Sequence, residues 1–180
     1  MLVATLFAHA LHLNTDYTLS ATALLGLLSV FCSMMIYHDT PRVLWNWRRS
    51  APLFFGTSLI LGAAAMLMFI GNSTLCAPIL GGALALKFFT ELLVVRPQLE
   101  PSLNKTALLI TGRFQNFTMI RLGCLVLGGI GLPLLAQLLP ANAASLFVFA
   151  FALLLAGEIL ERMLFFRTVD APKMPGGLPA

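Results

Sequence analysis

The chain has 180 residues, of which 59% are hydrophobic and 10% charged, with a formal net charge of +4. A soluble domain carries roughly 25% charged residues, so this composition cannot supply a water-facing surface and the solvent around most of the chain is lipid. The basic excess lies in two loops and the C-terminal tail rather than in one patch. That reads as membrane topology and gives no signal for a nucleic-acid partner.

Residues 1–13 are apolar but too short to span, since a bilayer needs roughly 20 residues of helix. They lack the basic n-region and cleavage site of a signal peptide. Residues 1–16 are therefore expected to be a partial hydrophobic or interfacial segment, the end of a run such as the C-terminal portion of a longer chain, or a natural short form, would carry. The run from Leu19 to Tyr37 has the length of a span, and the first membrane helix is predicted over 17–38. It ends in His38-Asp39-Thr40-Pro41, where proline has no N–H to donate and disfavours helical geometry at Thr40. Trp45, Trp47, Arg48 and Arg49 follow, and apolar residues resume at Pro52. Apolar run, aromatic pair, basic cluster and apolar run, in that order, describe a chain leaving the bilayer on its positive side and returning.

The second span is predicted over 52–70, with Pro52 in the first turn, where proline is tolerated. After the uncharged turn Gly71-Asn72-Ser73 comes the third, 74–95, which Arg96-Pro97 stops. Segment 98–116 is polar and mixed apart from an apolar stretch at 107–110, and is expected to form a short helix on the membrane surface. The fourth span, 117–138, carries Gly128, Gly129, Gly131 and Pro133 in its middle, which suggests a break. The fifth, 143–166, follows the uncharged turn Pro140-Ala141-Asn142. Residues 167–180, rich in proline and glycine, read as a flexible tail. The predicted fold is an all-α integral membrane protein, a bundle of about five transmembrane helices over 17–166.

Both long loops are net basic: Asp39, Arg42, Arg48 and Arg49 in one, Arg96, Glu100, Lys105 and Arg113 in the other. The two short turns carry no charge. By the positive-inside rule the long loops and the C-terminal tail are cytoplasmic. Residues 62–65, Gly81, Gly82, Ala83, Gly123, Gly128, Gly129 and Gly131 are expected at helix contacts, where small residues let backbones approach. Cys32, Cys76 and Cys124 sit singly in different runs. Without CxxC or Cys/His spacing they encode neither an iron–sulfur cluster nor a zinc site, and read as small buried apolar residues. His9 and His12 fall at the opposite end of the membrane from His38, and spans two to five contain no histidine, so no axial pair for a b-type haem is encoded.

The candidate functional residues are charges in the wrong place. Lys87 and Glu91 lie four apart on one face of the third span. Glu158 and Arg162 repeat the spacing in the fifth, with Glu161 beside them, and Arg121 sits one turn into the fourth. A charge in hydrocarbon costs about 2.5–3.5 kcal/mol even on the insertion scale, so such groups pair, face the bundle interior or line a wet path. Two readings follow: an ion-pair cluster locking spans three to five, with snorkelling to the interface as a variant, or a proton path or polar pocket opening to the cytoplasmic side. His38, beside Asp39 and Arg42, can exchange protons near neutral pH and hydrogen-bond a quinone carbonyl, or simply cap the first span at the interface.

The stretch SMMIYHDTPRVLWNWRRSAPLFFGTSLILGAA resembles the central region of the membrane-anchor subunits of the dimethyl sulfoxide reductase family. In that family a helix ends in an IY or VY pair, a short Pro/Trp loop follows, and a Phe-rich helix begins. LLLAGEILERMLFF resembles the family's last helix through Gly157-Glu158, Arg162 and Phe165-Phe166, and ALKFFTELL and GRF…RLGCLVLGGIGLPLL fit between. The resemblance runs from about Tyr17 onward and covers the later helices of the family only. It implies a non-catalytic subunit in the bacterial inner membrane that oxidises menaquinol or ubiquinol. Electrons would pass to an iron–sulfur subunit and on to a molybdopterin catalytic subunit, in anaerobic respiration. The family's anchor holds no metal. A histidine of its quinol site lies in the early helices, has no matching position here, and is not transferred to His38. The residues taken alone leave two further readings: a small transporter or channel subunit with the paired charges lining its path, and a purely structural anchor.

Overall fold

The computed structural model describes residues 15–40, 42, 45–71, 76–95 and 101–168. The N-terminal segment 1–13, Pro41, Arg96-Pro97 and the tail beyond residue 168 lie outside them. Every described element is helical. The order is α1 (Thr15–His38), α2 (Trp47–Ile70), α3 (Cys76–Val95), α4 (Pro101–Thr111), α5 (Gln115–Val126), a π turn (Leu127–Gly131), α6 (Leu132–Leu138), a 3-10 turn (Pro140–Asn142) and α7 (Ala143–Arg167). Among the described residues five helical spans are long and apolar enough to cross a membrane: α1, α2, α3, α5 with α6 as one span, and α7. The chain is a multi-pass, all-α membrane protein.

The second span begins five residues earlier than Pro52. Asn46 starts it: its side chain accepts the Arg48 N–H at 3.1 Å, and its carbonyl accepts from Arg49 and Ser50 at 2.9 and 3.0 Å. A side-chain oxygen at this position satisfies donors that a helix start leaves open. Trp47, Arg48 and Arg49 therefore form the first turn of α2, and Pro52 lies inside the helix. The break expected in the fourth span is a π turn. Pro133 has no N–H for the ladder, and just before it the Leu132 N–H reaches back to the Leu127 carbonyl, five residues away. Segment 98–116 contains α4, which docks on the end of α7: Leu103 packs with Trp45 and Phe165, and the Thr106 hydroxyl donates to the Thr168 carbonyl at 2.9 Å.

Packing follows one stripe per helix at the 3.6-residue period. In α2 the stripe is Gly56, Ile60, Ala63, Ala64 and Leu67. In α3 it is Cys76, Leu80, Ala83, Leu84 and Lys87, and in α7 it is Phe147, Ala150, Leu154, Gly157, Glu158 and Glu161. The apolar members make the core. Toward the basic end of the bundle, where the long loops lie, the same stripes turn polar. This corrects the expected contact glycines. Gly62, Gly81, Gly82 and Gly123 face open space, whereas a Cβ at Gly56, Gly128, Gly129 or Gly157 would meet a neighbour within 3.4 Å. The first set lies off the stripes, and only the second is where backbones or long side chains approach.

Helix α1 packs chiefly against α2, and Met34 alone among its described residues is buried. Leu24, Leu25, Leu27, Leu28, Phe31 and Ile36 project outward, as lipid-facing side chains do. Cys32 is exposed on this helix, Cys76 is buried and Cys124 half-buried, so the expectation of burial fails for Cys32, which a peripheral helix turns outward.

Candidate functional site

Lys87 is the centre of the polar end. Its stem lies on the bare backbone of Gly56, where an added Cβ would come within 3.0 Å of Cε and 3.1 Å of Cγ. The ammonium donates to Glu161 Oε1 and Oε2 at 3.0 and 2.9 Å and to Thr57 Oγ1 at 3.0 Å. It also makes a close ion pair with Glu158 Oε2. Arg121 of α5 forms close pairs with Glu161 on one side and Glu91 of α3 on the other. Arg162 donates to Thr57 Oγ1 at 3.2 Å, and its guanidinium carbon stands 3.8 Å over the Phe54 ring. The Thr57 hydroxyl has one proton and two acceptors within reach, Glu158 Oε2 at 2.6 Å and the Leu53 carbonyl at 2.7 Å.

The cluster joins the cations Lys87, Arg121 and Arg162 to the carboxylates Glu91, Glu158 and Glu161, so its charge is balanced. Balance is what makes it tolerable, because an unpaired charge left in such surroundings costs about 3–5 kcal/mol. Thr57, Lys87 and Glu158 each lie about nine residues from the basic end of their helix, roughly 14 Å along its axis at 1.5 Å per residue, so they meet at one level of the bundle.

Lys87, Glu91, Arg121, Glu158 and Arg162, singled out in the sequence, are thus brought together. Their pairings differ from the helical spacing. Lys87 reaches past Glu91 to α7, Glu91 belongs to Arg121, and Arg162 holds Thr57 rather than Glu158. Lys87, Arg121, Glu158 and Glu161 are buried, and their ion-pair partners lie across helix interfaces and not one turn along. Glu161, read as a bystander, is the bridge between Lys87 and Arg121. Thr57 and Gly56 were not singled out. Their signal is depth: a hydroxyl and a bare backbone at the level of an intramembrane lysine.

His38, Asp39 and Arg42 stand apart. Arg42 lies 4.3 Å over the Trp45 ring, which stacks on Phe165 at 5.7 Å and 18° and donates Nε1–H to the Phe165 carbonyl at 3.4 Å. Tyr37 meets Trp45 edge-on at 5.3 Å. Asp39 is exposed, and the Nδ1 of half-buried His38 has no hydrogen-bond partner among the described residues. Phe54 links the two groups of candidates, since it meets Tyr37 and carries Arg162.

Beside the ion network lies a cavity of about 460 Å³. Glu91, Arg121 and Glu161 form its polar side, and Arg48 and Arg49 of the first turn of α2 also line it. Leu53, Phe88, Leu92, Ile110, Leu122 and Phe165 give it apolar walls. The space suits an amphiphile: a flat apolar body between leucine and phenylalanine side chains, with a head carrying hydroxyl or carbonyl oxygens against a carboxylate and a guanidinium. Comparison of the chain with models of known families, with curated proteins and with solved structures found no match.

Proposed function

We propose that this chain is the membrane-anchor subunit of a multisubunit molybdopterin reductase of the dimethyl sulfoxide reductase type, residing in a bacterial inner membrane. It binds membrane quinol, menaquinol or ubiquinol, in the 460 Å³ cavity. The electrons pass to an iron–sulfur subunit and from there to the catalytic subunit, while this chain carries no metal-based step itself. The observation that carries the reading is the cavity, apolar on its walls and ionisable on one side, placed within a membrane bundle whose sequence motifs resemble that family. A quinol needs both halves of such a site, because its ring and tail come from lipid and its hydroxyls must lose protons.

A transport path is less well supported. It would have to continue polar beyond Thr57 and Glu158, where Ile60, Leu80, Leu84 and Leu154 are fully buried and apolar.

The test is purification of the chain from native membranes under mild detergent. Co-purification of an iron–sulfur protein, with saturable binding of a fluorescent quinol analogue to the complex, is the expected result. A chain that emerges without any iron–sulfur partner and binds no analogue sinks the proposal.

A further inference from the structure

The three carboxylates of the network are not equivalent, and their difference bears on where protons go. Glu158 is buried to 3% side-chain exposure and does not line the cavity. Glu161 lines it, but its side chain is 6% exposed and both oxygens are held by Lys87, one of them also by Arg121. Glu91 also lines the cavity, is 24% exposed, and among the described residues is ion-paired with Arg121 through Oε1.

We infer that Glu91 is the group that accepts protons from the hydroxyls of the bound quinol, an inference that rests on the quinol reading above. Ionised in its pair with Arg121, Glu91 gives the cavity the most exposed carboxylate of the three, at 24% against 3% for Glu158 and 6% for Glu161. The groups facing it are Arg121 of α5, Glu161 of α7 and Arg48 and Arg49 of α2. From α4 the cavity receives only Ile110, and on its own helix Lys87 is committed to Glu158 and Glu161. A proton on Glu91 releases Arg121 to Glu161 alone, which holds the guanidinium in place. The positive charge of Arg48 on the same side of the cavity then favours loss of the proton to water at the basic end. The step balances as follows. A quinol O–H bond breaks, its proton goes to Glu91, and one electron leaves to the iron–sulfur centre of the proposed partner subunit. Glu91 sheds that proton and takes the second as the second electron leaves, and the quinol has become quinone.

The experiment uses the assembled complex in membranes. The wild-type complex is expected to bind a fluorescent quinol analogue. Failure of wild type to bind overturns the quinol reading itself. Glu91→Gln is expected to lower quinol turnover about 100-fold, the lower range for loss of a general base, while still binding the analogue saturably. Glu91→Gln turning over within threefold of wild type overturns the assignment and leaves the quinol reading standing. Should Glu91→Gln not assemble, Glu91→Asp keeps the charge for Arg121 but withdraws the carboxylate by one methylene. It is expected to assemble, bind the analogue and turn over more slowly, with the acidic limb of its pH profile displaced. Wild-type turnover with an unmoved profile in Glu91→Asp overturns the assignment equally.

Discussion

Lys87 donates to Glu161 across the α3–α7 interface at 2.9 Å, although Glu91 lies one turn away on its own helix. The lysine is therefore a tie between spans, and its removal leaves Glu158 and Glu161 facing each other. Glu161 keeps Arg121, but Glu158 loses the one cation paired with it among the described residues. Lys87→Met is expected to destabilise the bundle by about 3–5 kcal/mol, the cost of an uncompensated buried charge. Adding Glu158→Gln removes the stranded charge and should recover much of the loss. Adding Glu91→Leu instead, the partner that helical spacing alone suggests, supplies nothing to Glu158 and should not. The amount of monodisperse protein recovered from membranes ranks the three, and equal recovery with either second change would refute the cross-helix pairing.

Thr57 gives the same network a neutral link. Its oxygen accepts from Lys87 and Arg162 while its proton serves Glu158 or the Leu53 carbonyl. Interhelical hydrogen bonds in membranes average only about 0.6 kcal/mol, but a charged donor left short of a partner costs about 1–3 kcal/mol. Thr57→Val keeps the volume and strips the hydroxyl, so a loss toward the upper range is expected, with Thr57→Ser close to wild type. Thermal unfolding in detergent measures both, and valine matching serine would show that the hydroxyl ties nothing.

The helices were legible in the sequence because lipid demands long apolar runs, and loops at Asp39–Thr40 and Gly71 interrupt them. The inward faces were not. In a membrane the core is no more apolar than the lipid side, so hydrophobicity does not mark the buried stripe. Gly62 and Gly129 look alike in the sequence, yet one faces open space and the other meets Leu84. Charges do mark it, which is why Lys87, Arg121 and Glu158 were found. Their partners were misread because spacing along one helix reports shared faces, whereas an ion pair between helices depends on relative rotation and depth. The early start of α2 was missed for a different reason: Asn46 caps a turn of Trp and Arg residues whose composition reads as loop.

The basic end of the bundle sets the expected orientation. Reporter fusions at Ala180 and Asn72 should lie on opposite sides of the membrane, with Ala180 cytoplasmic, as the loop charges require. Both reporters on one side would break the five-span order. Because the cavity lies at the basic end, the iron–sulfur subunit proposed above should, if it docks there, cross-link from Trp47 and Lys105 and not from Asn72 and Asn142. The reverse pattern would place the docking face away from the cavity.

The closest approach in the core is at the π turn. A Cβ at Gly129 would stand 2.3 Å from Leu84 Cδ1, 3.2 Å from Cδ2 and 3.3 Å from Cγ, and Leu84 of α3 is itself fully buried in the apolar core. The leucine cannot leave without opening the core, and the turn cannot tighten because Pro133 denies it the ordinary ladder. Gly129→Ala is therefore expected to cost about 1–3 kcal/mol, the usual penalty of overpacking. Gly131→Ala is the matched control: its Cβ would meet only ordinary contacts, at 3.7 Å and beyond, and removing backbone freedom in a helix is worth about 0.5–1 kcal/mol in its favour. Combining Gly129→Ala with Leu84→Ala removes the clash, so the pair should lose less than the sum of the single changes. Thermal unfolding of the four variants against wild type decides it. Gly129→Ala as stable as Gly131→Ala, or strict additivity with Leu84→Ala, would mean that the π turn does not press on α3.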